Sequence, residues 1–160
     1  MEEYSVLDDL DRAILRQLQA DGRISNVELA RRVNLSPPAV HARMRRLEEQ
    51  GYIQQYVAIL DREKMGYDML CFISVRLQIH QTEQVDGFRD TMLNLPEVQE
   101  CHHLTGEYDY LLKVVVRSPR ELERFVMDRL TPIAGIAHIH TSLVLREIKV
   151  TTALPIPEDF

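Results

Sequence analysis

Six arginines fall between residues 23 and 46: Arg23, Arg31, Arg32, Arg43, Arg45 and Arg46. One acidic residue, Glu28, shares that stretch, although the whole chain carries a formal net charge of −6. Guanidinium groups hold phosphate oxygens and can read guanine bidentately in the major groove. Clustering of positive charge, not bulk charge, marks a nucleic-acid site. The expected partner is double-stranded DNA. The competing reading is a solvated arginine-rich helix paired with its own acids. Glu49 lies four residues after Arg45, and Glu28 is within reach of Arg31 and Arg32.

The elements around these arginines have clear signals. Asp8 to Ala20 reads as a first helix, with Leu10, Ile14, Leu15 and Leu18 inward. Ser25 with Glu28 forms a capping box, followed by an apolar stripe of Val27, Ala30 and Val33 with Leu29 beside them. Asn34-Leu35-Ser36 is a short turn. Ser36 is the next N-cap and Pro37 suits the first helical position. Val40, Met44 and Leu47 face the core, and Gly51 ends the helix. Two helices joined by a short turn make a helix-turn-helix, whose second helix enters the major groove. On that helix Pro38, Ala42, Arg45 and Arg46 point away from the core, flanked by Ala39, His41 and Arg43. The candidate DNA-binding residues are Arg23, Ser25, Asn26, Ser36, Pro37, Pro38, His41, Ala42, Arg43, Arg45 and Arg46.

Other chemistries find less support. His102, His103, His138 and His140 are similar in type, but the expected fold places their strands on opposite edges of a sheet, so no metal site is expected. Cys71 and Cys101 lie in strand-like runs and read as buried thiols. Phosphate-loop, zinc-protease and nucleophile-elbow signatures are missing, so neither an enzyme nor a cofactor is expected. No apolar run reaches membrane-helix length, and the acidic start MEEYSVLDDLDR is no signal peptide. A soluble cytoplasmic protein fits.

After Gly51 the apolar period changes. Tyr52 to Leu60 reads as a strand, and Asp61 to Gly66 as a polar connection. Then follow a strand (Met69 to Ile79), a helix (Glu83 to Leu95), and strands Val98 to Thr105 and Tyr108 to Arg117. A two-residue turn, Gly106-Glu107, joins that pair. A helix from Pro119 to Leu130 and a long strand from Ile136 to Val150 complete the order β-α-β-β-α-β, the ferredoxin-like split βαβ. The expectation is an α+β chain. A helix-turn-helix domain at 1–55 is joined by a strand-like hinge at 56–67 to a regulatory domain at 68–150, with a tail at 151–160. Leu70 and Phe72, with Leu111 and Val115, leave apolar side chains on the sheet face away from the helices. A second copy covering that face predicts a homodimer.

These residues resemble the leucine-responsive regulator/AsnC, or feast/famine, family over nearly the whole chain. LDDLDRAILRQLQADGR resembles its opening helix. Ser36, Val40, Arg43, Leu47, Glu48, Gly51 and Ile53 match its recognition-helix pattern, Leu60-Asp61 and Gly66 its hinge, and TGEYDYLLKV its regulatory hairpin. The resemblance implies a winged helix-turn-helix transcription regulator that dimerises, assembles into octamers and takes a free amino acid as effector. It implies an effector site at Thr105, Gly106, Glu107, Tyr108, Asp109 and Tyr110, closed by the region from Ile133 to Ser142. Asp109 suits the ligand ammonium, Gly106 admits the ligand to backbone N–H groups, and Thr141 and Ser142 offer hydroxyls. Asp109 could instead pair with a base such as Arg146. The alternatives in function are an effector-independent DNA-organising protein and a ferredoxin-like enzyme.

Overall fold

The computed structural model describes residues 7–78 and 82–156. The chain divides into two compact units, Met1–Ile59 with Lys149–Phe160, and Leu60–Ile148.

Three helices make up the first unit: α1 (Asp9–Ala20), α2 (Asn26–Val33) and α3 (Pro37–Glu49). Each begins where a side-chain oxygen takes an orphan N–H, a contact worth about 1 kcal/mol. Asp8 accepts the Asp11 N–H, and Asp11 takes the Asp8 N–H in return. Ser25 accepts from Glu28 and Ser36 from Ala39. The reciprocal box expected at Ser25 and Glu28 therefore stands at Asp8 and Asp11 instead. The Glu28 carboxylate turns to Arg31 and Arg32, because two charge-assisted bonds outweigh one to a neutral N–H. Asn34, in the left-handed region (φ 57°), ends α2, and Gly51 (φ 76°) follows α3.

Ile14, Leu29, Val40 and Leu47 are wholly buried at the centre of this unit. Val27 is not part of that stripe and is 69% exposed. At about 100° per residue it lies roughly 120° round the helix from Val33. Tyr52–Leu60 joins no sheet, and residues 54–60 are exposed. A strand-like pattern needs a partner edge, and the first unit contains no strand among its described residues. The tail returns to α1. The Gln19 amide donates to the Leu154 carbonyl (3.0 Å) and accepts its N–H (2.6 Å), and Arg16 donates to the Ile156 carbonyl.

In the second unit β1 (Met69–Leu77), α4 (Thr82–Asn94), β2 (Val98–His103), β3 (Tyr110–Val116), α5 (Pro119–Arg124) and β4 (Ile136–Leu143) follow the βαββαβ order. Ile79, expected to end β1, lies outside the described residues. The sheet order is β2-β3-β1-β4, antiparallel throughout. The helix after Ser118 runs on beyond α5 as a π-helical segment, Phe125–Leu130. The Thr131 N–H and hydroxyl both donate to the Val126 carbonyl there. One sheet face, with Cys71, Ile73, Val75, Leu112 and Val114, packs under Phe88, Met92, Phe125 and Leu130. Phe88 meets Tyr110 at 4.5 Å between ring centroids.

The other face is less open than expected, since Leu70 and Val115 are already buried within the chain. Cross-strand register leaves Phe72 and Leu111 there among Ser74, Arg76, Lys113, His102, His138 and His140. β4 stops at Leu143, short of the expected Val150, because β1 has run out. Leu143 pairs with Cys71, and a last bond joins the Val144 N–H to Leu70. The β2–β3 turn is longer than two residues. Leu104 donates to the Asp109 carbonyl, but the Asp109 N–H crosses to Val75 of β1, leaving 105–108 as the loop. Cys71 is buried, whereas Cys101 on edge strand β2 is exposed, against expectation.

Candidate functional site

The helix-turn-helix arginines fall into two groups. Arg45 is exposed on α3 and pairs with Glu49 at 2.7 Å; Arg31 and Arg32 share Glu28, each at 2.8 Å. These are surface pairs, weak and screened by solvent, so a DNA phosphate can displace the carboxylate at small cost. Hydrogen bonds from Arg31 and then Arg32 hold the Glu28 carboxyl down to about 2. Arg23 sits in the α1–α2 loop and has no acidic side-chain partner among the described residues. Its backbone N–H is taken by Asp21.

Arg43 and Arg46 are held differently. Arg43 donates to Asp8 (2.7 Å) and to Asp11 (2.8 Å), and Arg46 also donates to Asp11. Asp11 is 1% exposed. Its two guanidinium partners come from α3, one turn apart, so one buried carboxylate ties the recognition helix to α1. Removing both arginines would leave the buried Asp11 carboxylate without an ionic partner, which costs a few kcal/mol. The Asp8 hydrogen bond, then that of Asp11, pushes the Arg43 guanidinium up. At Asp8, burial pulls the carboxyl upward but is outweighed by the Asp11 N–H and Arg43, leaving it below its ordinary value.

Of the eleven candidate DNA residues, Pro38, His41, Ala42 and Arg45 are exposed together on the outward side of α3, with Pro37 at its start. The Ser25 and Ser36 hydroxyls are engaged as N-caps. Asn26 is half-buried at the first position of α2. Arg46 is exposed as expected, at 46% of its side chain, and still reaches Asp11 of α1, which offers a dry, charged acceptor. Nothing in the sequence marks Asp11 as a site residue. The only local signal is its place three residues after Asp8; its contact with α3 is tertiary.

In the second unit the implied effector residues surround the loop. Thr105, Gly106 and Glu107 are exposed, Tyr108 and Asp109 half-buried and Tyr110 buried. Gly106 has φ 132° with open space where a Cβ would stand. The Asp109 carboxylate accepts the Leu77 N–H at 2.7 Å, closing the end of β1 where the β4 register shifts. The two tyrosines part company. Tyr108 lies 6.1 and 6.2 Å from the His138 and His140 rings, and Tyr110 stacks on His103 at 4.9 Å. Thr141 and Ser142 pair with Ile73 and Phe72. They lie roughly 7–10 Å along β4 from the level of Val75 and Asp109, and as neighbours they point to opposite faces. A single chain thus gathers 105–109 and leaves Thr141 and Ser142 apart. An open groove of about 440 Å³ lies between α4 and β2, lined by Arg89, Met92, Cys101, His103 and Tyr110 among others.

No three His, Cys, Asp or Glu side chains converge as metal ligands among the described residues. Among the described residues no helix is long and apolar enough to cross a membrane.

A capped helix-turn-helix with an arginine-bearing second helix, followed by a ferredoxin-like βαββαβ unit, defines a two-domain DNA-binding transcription regulator. A model of winged helix-turn-helix DNA-binding domains matches residues 7–54, and one of Lrp/AsnC ligand binding domains matches residues 70–154. The chain belongs to the Lrp/AsnC family of transcription regulators. It is 39% identical to the leucine-responsive regulatory protein of Escherichia coli, over 94% of this chain and 92% of that one. It is 37% identical to the transcriptional regulator AzlB of Bacillus subtilis, over 96% and 98%. Among solved structures, a transcriptional regulator from Neisseria meningitidis in complex with L-Met superposes with TM-score 0.91 at 39% identity, covering 94% of this chain and 97% of that one. Escherichia coli AsnC superposes at 0.86 and 29%, covering 94% and 99%.

Proposed function

We propose that the protein regulates transcription as a homodimer, assembled further into octamers in the cytoplasm, whose DNA occupancy responds to a free amino acid. The DNA-contacting residues are Arg23, Pro37, Pro38, His41, Ala42 and Arg45, with Arg31 and Arg32 at phosphates. The amino acid binds at the loop 105–108 with Asp109 behind it.

The observation that carries this reading is the loop itself. An exposed glycine with room beside it adjoins a carboxylate held by the backbone N–H of Leu77 in β1. Such a site offers N–H donors to a carboxylate and an acceptor to an ammonium. The L-Met complex of the Neisseria meningitidis regulator supports an amino-acid ligand. Thr141 and Ser142 lie too far along β4 to join the site within one chain, so they complete it from a second copy. Phe72 and Leu111 on the open face support dimerisation. A ligand bound between copies shifts DNA occupancy only by preferring one assembly.

The test is a thermal-shift panel of the twenty amino acids, with sedimentation velocity on every one that raises the melting temperature. At least one stabilises the protein and alters its sedimentation. If none of the twenty does either, the effector reading is wrong.

A further inference from the structure

Arginines in a DNA-binding helix are ordinarily assigned to DNA. Here two of them are tied to α1, Arg43 with its side chain 24% exposed and Arg46 with its side chain 46% exposed. Asp11 is 1% exposed, and Arg43 and Arg46 converge on its two oxygens, Arg43 on Oδ1 and Arg46 on Oδ2. Asp8 holds Arg43 a second time. Both acids sit at the start of α1 and both bases on α3. The pairs fix the rotation of α3 about its own axis and its height against α1. Arg45, between them in sequence, points the other way and has only the exposed Glu49.

We propose that Asp11 is a positioning residue for DNA binding: it withdraws Arg43 and Arg46 from the phosphate-contacting set and uses them to aim α3, leaving Arg45 as the arginine that α3 presents to DNA. This rests on α3 being the recognition helix. It differs from a phosphate role for Arg43 and Arg46 in a measurable way. Each phosphate contact contributes about 0.9 to the slope of log K against log salt, whereas a residue that aims the helix changes affinity at every salt concentration alike.

The experiment uses the full-length protein and a mixed-sequence DNA duplex spanning several helical turns. Affinity is measured against salt at a temperature where circular dichroism shows every variant folded. Arg45→Gln lowers the slope by about 0.9 for each DNA-bound subunit. Arg43→Gln and Asp11→Asn leave the slope at the wild-type value and weaken binding at least about tenfold, the size of one charge-assisted hydrogen bond. The double variant loses less than the two singles added together, because the Arg43–Asp11 contact is common to both. Should Asp11→Asn fail to fold, Arg43→Gln and Arg46→Gln carry the test. A slope reduced by Arg43→Gln as much as by Arg45→Gln overturns the proposal, and so does wild-type affinity in both Arg43→Gln and Arg46→Gln. Absence of binding by the wild type would instead refute the DNA-binding reading of α3.

Discussion

Replacing Asp109 separates the structural duty of this carboxylate from its proposed duty to ligand. Its backbone N–H donates to Val75 and its carbonyl accepts from Leu104, and these survive any substitution that keeps the loop. Its side chain accepts the Leu77 N–H at 2.7 Å, and Leu77 is 4% exposed. Asp109→Ala leaves that buried N–H without its acceptor, at a cost of about 1.5–3 kcal/mol. In a unit of this size that lowers the melting temperature by roughly 6–24 °C. Asp109→Asn keeps an acceptor oxygen and gives up only the charge, about 1 kcal/mol and roughly 4–8 °C. The two variants therefore rank clearly in stability. In amino-acid binding they rank together, because an amide cannot neutralise an ammonium. The assay is differential scanning calorimetry of both variants, followed by isothermal titration with whichever amino acid stabilises the wild type. Binding of that amino acid by Asp109→Asn at wild-type affinity would refute the ammonium role. Equal melting temperatures for the two variants would refute the hydrogen-bond reasoning.

Phe72→Glu places a charge on the open sheet face. Burying it in a dimer costs about 3 kcal/mol or more, a hundredfold in dissociation constant; sedimentation equilibrium then reports monomer where the wild type is dimeric, and an unchanged dimer would assign the interface elsewhere. Glu28 has a folded pKa of about 2 against an ordinary 4.5. Its contribution is therefore complete above pH 4.5 and fades as pH falls toward 2, so the melting-temperature gap between wild type and Glu28→Gln narrows through that window and is flat above it. Truncation after Val150 removes the Leu154 and Ile156 contacts to Gln19 and Arg16. About 1 kcal/mol of stability is lost from the first unit, and hydrogen exchange of the α1 amides quickens while that of β1 and β3 does not change.

Much of this protein is legible along the chain. Helix starts at Ser25 and Ser36, the stop at Gly51, and the two periods that separate a helical unit from a βαββαβ unit depend on neighbours a few residues apart. Local hydrogen bonds and side-chain periodicity decide them. The strand expected at Tyr52–Leu60 and the last residues of β4 fail for a common reason. A strand is defined by what lies across from it, and the first unit offers no edge while β1 ends at Met69. The arginines divide in the same way. Residue types and spacing establish that α3 is basic and which of its faces is apolar. Whether Arg46 faces DNA or α1 is decided by Asp11, thirty-five positions away in sequence and buried only once the helices pack. Charge clustering is therefore a property of the sequence. Which of those charges remains available to a phosphate is a property of the tertiary structure, because only packing creates the dry carboxylate that competes for them.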